Sequence, residues 1–88
     1  MKIRNIADAL CSDSAEQANL FILPNDIYCD ESAALVADAW QQVRTFKHQR
    51  DELNRMFPTM RYQHQRQFDE IIWQLACDLH GKIYDPTP

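Results

Sequence analysis

The residues best equipped for chemistry in this chain are its three cysteines, its three histidines and a set of adjacent carboxylates. Cys77 and His80 stand three apart, a spacing that on a helix offers two ligands to one metal ion. Any further ligands must come from His64, Cys11 or Cys29, at irregular spacing, whereas zinc sites draw on closely paired ligands. No metal or other cofactor is expected. The acids Asp30-Glu31, Asp51-Glu52 and Asp69-Glu70 are sequence neighbours, and neighbours on a helix point apart, so none forms a local acid–base pair. The chain has a single glycine, too few for a phosphate-binding loop, and it carries neither HExxH nor a nucleophile elbow. The expectation is a protein that is not an enzyme.

Residues suited to recognition are easier to find. Tyr62, Arg66, Asp69, Trp73, Cys77 and His80 recur at three and four, one stripe of a helix set apart from its apolar face. A tryptophan in such a stripe needs cover, either from the N-terminal segment or from another molecule, because large aromatics are mostly buried and enriched at interfaces. Tyr62, Arg66, Asp69, Trp73 and His80 are therefore the expected partner-binding residues. Arg44, Lys47, Arg55 and Arg61 form a second set, with His48 and Arg50 among them, that suits nucleic acid or an acidic protein surface. Against nucleic acid stand the net charge of −4 and a helix break built on proline, unlike the turn of a helix-turn-helix.

The elements that must position these residues follow from spacing. From Asp30, the residues Leu35, Ala39, Val43, Phe46, Leu53 and Phe57 trace one apolar stripe, which Val36 and Trp40 widen. Phe68, Ile71, Ile72, Leu75, Ala76 and Leu79 trace another. The break Phe57-Pro58-Thr59 between them predicts a long antiparallel helical hairpin, about 31–57 and 59–80, with Phe46 opposite Ile72 and Val43 opposite Leu75. Asp30 suits the first N-cap, Pro58 the first turn of the second arm, and Gly81 a left-handed C-cap. Arg50 falls inside the first stripe and so requires a partner, Asp69 or Glu70, or a place for its stem on Phe68. His64 reads as a half-buried edge residue.

Before the hairpin, Ile3, Ile6, Ala7 and Leu10 fit a short helix. Asp13 or Ser14 can cap a second one that ends near Leu23, where Pro24 stops it. Leu20 to Leu23 also suits a buried strand, and helix is the preferred reading. Pro24-Asn25-Asp26 is a turn signal, and Ile83 and Tyr84 are expected to tuck onto the body. The chain thus reads as all-α and as one domain over residues 1–88. Its parts are short helices and linker (1–29), the hairpin (30–81) and a C-terminal tail (82–88).

Charge is unevenly spread along this plan. Residues 1–40 hold Lys2 and Arg4 against seven acids, and residues 41–68 hold six Lys or Arg against Asp51 and Glu52. An odd cysteine count without CxxC, and no apolar run after Lys2 and Arg4, point to a reducing cytoplasm. The function that fits is a small acidic, non-enzymatic protein–protein interaction module. A phage- or plasmid-type regulator or inhibitor docking on a larger host protein complex matches that description. The alternatives are a nucleic-acid-associated protein using the basic hairpin tip and a homodimeric structural protein.

Overall fold

The apolar spacing at Ile3, Ile6 and Leu10 produces α1 (Ile3–Leu10), and the Ser12-Asp13-Ser14 break produces a turn. Ser14 then caps α2 (Ala15–Ile22), its hydroxyl accepting the Gln17 N–H at 3.2 Å, so Leu20 to Ile22 are helical. Two long helices follow, α3 (Asp30–Met56) and α4 (Arg61–Tyr84), joined through a single 3₁₀ turn at Pro58–Met60. This computed structural model describes residues 2–23 and 29–84. The expected turn at Pro24-Asn25-Asp26 and the residues after Tyr84 lie outside them. All regular structure among the described residues is helical, and the hairpin is present.

The two arms run antiparallel. Asn54 meets His64, and Arg50 meets Phe68, so contacts recede from the turn equally along both arms. That offset is the one that sets Phe46 opposite Ile72 and Val43 opposite Leu75. Val43 and Ile72 are buried, and Phe46 and Leu75 pack against the same core.

The short helices complete a four-helix bundle, but only over the half of the hairpin away from its tip. The Trp40 indole N–H donates to Ser12 O at 2.8 Å, which fixes the α1–α2 turn at mid-hairpin. The Tyr84 hydroxyl donates to Ile22 O, which fixes the end of α2 at the base. Accordingly α1 packs on α4, α2 packs on α3, and the directions alternate up and down around the bundle. The core lies inside this basal half, where Ile6, Leu10, Ile22 and Val36 are fully buried. Neither short helix reaches the 3₁₀ turn. The physical limit is length: eight residues span about 12 Å, whereas the 27 residues of α3 span about 40 Å. The 46 Å long axis of the molecule reflects that bare extension.

Several local expectations change. Cys29, not Asp30, is the N-cap of α3: its backbone is extended and its Sγ accepts the Ser32 N–H at 3.4 Å. Asp30 instead joins Glu31 in the first turn, where the helix dipole favours both. Pro58 opens the 3₁₀ turn and not α4 itself. Gly81 is no left-handed cap, since no described glycine has positive φ and α4 runs on to Tyr84. Continuation packs Ile83 and Tyr84 against the core, which an early stop would forgo. Leu53 and Phe57, placed by spacing in the apolar stripe, are exposed because nothing covers them there.

Candidate functional site

Beyond the bundle, the hairpin seam is polar. Arg50 donates to Asp51 Oδ1 at 2.9 Å and to Gln65 Oε1 at 3.0 Å, with its guanidinium carbon 4.5 Å from the Phe68 ring centre. The expected direct pairing with Asp69 or Glu70 is not made. Gln65 stands between, donating to Asp69 Oδ1 at 2.9 Å. His64 is more buried than expected, at 6% exposure, and its Nδ1 lies 2.9 Å from Asn54 Oδ1. These contacts join the two arms beyond the bundle.

The α4 stripe divides by depth. Tyr62 and Arg66 are in solvent on the extension, Tyr62 at 78% exposure and Arg66 within 3.7 Å of Glu70. Asp69 and Trp73 meet α1, forming a groove of about 220 Å³ with Arg4, Ala7, Asp8 and Cys11. That cover is partial and Trp73 remains 50% exposed. At the base His80 is half-buried, its ring 5.2 Å from that of Tyr84. The stripe is continuous along about 27 Å of helix, with its tip half open and its base half built into the bundle.

No family model, curated protein or solved structure matches this chain.

The basic set separates into two places. Arg44 lies over the Trp40 ring at 5.0 Å, and with Lys47 and His48 it lines a cleft of about 710 Å³ against Ser12 and Asp13. Nearer the tip, Arg55 is paired with Glu52 at 2.6 Å, while Arg61 is exposed. Cys77 and His80 gain no further ligands: among the described residues no three His, Cys, Asp or Glu side chains converge as a metal site would require. No described helix is long and apolar enough to cross a membrane.

Sequence reading missed the apolar hairpin tip. Met56, Phe57 and Met60 are 61%, 48% and 43% exposed, and Leu20 and Phe21 on α2 are 81% and 64% exposed. The signal was available: turns are ordinarily polar, and two short helices cannot cover arms three times their length.

Two thiols differ in character. Ser32 holds the Cys29 thiol below its ordinary value, through its hydroxyl and then its N–H. Burial pushes the Cys11 thiol up, with Asp8 adding to it.

Proposed function

We propose that this chain is a small, non-enzymatic protein-docking module of the regulator or inhibitor kind. In this reading it engages a larger protein through the open half of the α4 stripe. The supporting observation is Trp73, half exposed beside α1 in line with solvent-facing Tyr62 and Arg66. Tyr, Trp and Arg are the residue types that carry most of the energy at protein interfaces. An apolar body with a polar tip lets Tyr and Trp stand in water and still bury well against a partner. Arg66 reinforces this, since its ion pair to Glu70 is long and exposed and costs little to exchange. Asp69 and His80 would frame the stripe, the first fixed by Gln65 and the second beside Tyr84.

Immobilised chain should capture a host protein that survives high salt, and Trp73→Ala or Tyr62→Ala should reduce capture by about tenfold or more. Because both side chains are exposed, circular dichroism of the variants should match wild type. Capture unaffected by either change would remove the α4 stripe as the docking face. Retention on a phosphate matrix that collapses with salt, and with Arg44, Lys47 and Arg61 changed to Ala, would assign the basic half to nucleic acid instead.

A further inference from the structure

The molecule is stepped. Its basal half has two layers, the α1–α2 pair lying over the hairpin, while its distal half is the hairpin alone. The step is chemically polarised as well as geometric. The distal part, residues 50–68 by the register of the arms, carries Arg50, Arg55, Arg61 and Arg66 against Asp51 and Glu52, and Arg44 and Lys47 stand at the step itself. From Cys11 to Leu23, the turn and α2 hold no basic residue, only Asp13 and Glu16; Asp8 on α1 adjoins them, and all three are exposed. Apolar side chains are also left open at both ends: Met56, Phe57 and Met60 at the tip, Leu20 and Phe21 near the basal end of α2.

We infer that a second copy of this chain fills the step, the two molecules lying antiparallel about a two-fold axis. Each distal half then rests on the partner's short-helix layer. The arrangement places basic α3 residues over Asp8, Asp13 and Glu16, and the apolar tip over Leu20 and Phe21. The groove between α1 and α2, about 290 Å³ and lined by Asn5, Asp8, Ala9, Ser12 and Phe21, has an apolar floor and an acidic rim that match such a tip. At the inner corner, the cleft between Arg44, Lys47 and His48 and this chain's own Ser12 and Asp13 receives the partner's turn. Both contacts are made twice, so the pair closes on itself and leaves no sticky end. Tyr62 and Arg66 lie on the distal continuation of the face that α1 covers, so this pairing and the proposed docking compete for the tip end of the α4 stripe, while light scattering of the purified chain reads the pairing alone.

The test is light scattering on the full chain, at up to roughly 0.1 mM, above the micromolar range of standard-size interfaces. The expected mass is twice 10.4 kDa. Lys47→Glu with Arg61→Glu reverses the distal charge, and Asp8→Lys with Glu16→Lys reverses the layer. Each double variant alone should weaken pairing at least about tenfold, because like charges then face each other. Mixed one to one, the two variants should pair again, since each then meets an opposite charge in both contacts. Rescue by mixing also shows that the variants fold. A monomeric wild type, a mass that climbs without limit, or two variants that stay monomeric when mixed would overturn the inference.

Discussion

Cys29 and Cys11 show how far one residue's surroundings set its chemistry. Cys29 is exposed at the start of α3, and bonds from Ser32 favour its thiolate. The thiolate is the reactive form, so limited alkylation near neutral pH should label Cys29 before Cys11. Ser32→Ala should narrow the difference, as followed by peptide mass spectrometry; equal rates in the wild type would refute it. The two sites also bias stability oppositely. At Cys29 the folded value is depressed, so its contribution is complete above the unfolded thiol value and is lost as pH falls through the folded one. At Cys11 the folded value is raised, so its contribution is complete below the unfolded thiol value and is lost as pH rises through the folded one.

For the elements, Gly81 is the sharpest test. In a left-handed cap an added Cβ is strained, whereas inside a right-handed helix glycine is the weaker choice. Gly81 lies within α4, without positive φ, and a Cβ there would meet nothing within 4 Å. Gly81→Ala should therefore stabilise by about 0.5–1 kcal/mol, read as a rise in thermal midpoint of a few degrees. A fall would restore the capping role that the sequence suggests. The hairpin seam also belongs to this scale. Arg50 on Phe68 and His64 on Asn54 tie the arms at the distal edge of the core.

Over the whole molecule, stability and interaction are separated along the long axis. The core fills the basal bundle and ends at Phe68, and the distal half beyond it holds exposed apolar and basic side chains. Ile22→Ala, at a fully buried position, should cost about 2–5 kcal/mol in chemical denaturation. Met60→Ser at the tip should stay within about 0.5 kcal/mol for the monomer. A large loss from the tip change would mean that the extension is part of the core. The charge pattern belongs here too. Residues 69–88 return to acidic, with Lys82 against four acids, and the hairpin brings 69–84 back beside the acidic N-terminal half. Such a distribution steers encounter with another charged surface.

The amino-acid order alone determined the two long helices, the hinge and the register of the arms, because each depends on local periodicity and on one proline. It left Leu20 to Leu23 open between helix and strand and placed the end of the second arm too early. Phe68 to Leu79 could only be a helix with an apolar face, and Ser14 could be read as a cap before any coordinates. It also marked Trp73 as needing cover, without deciding what supplies it. Only the tertiary structure decided which apolar residues stay dry. Phe57 and Leu53 carry the same spacing as Val43 and Ala39, yet the first pair is exposed and the second buried. The reason is reach: spacing defines a face, but burial requires another element long enough to lie on it. The eight-residue helices end at mid-hairpin, fixed by the Trp40–Ser12 bond. The same limit left the tip bare and Trp73 half covered.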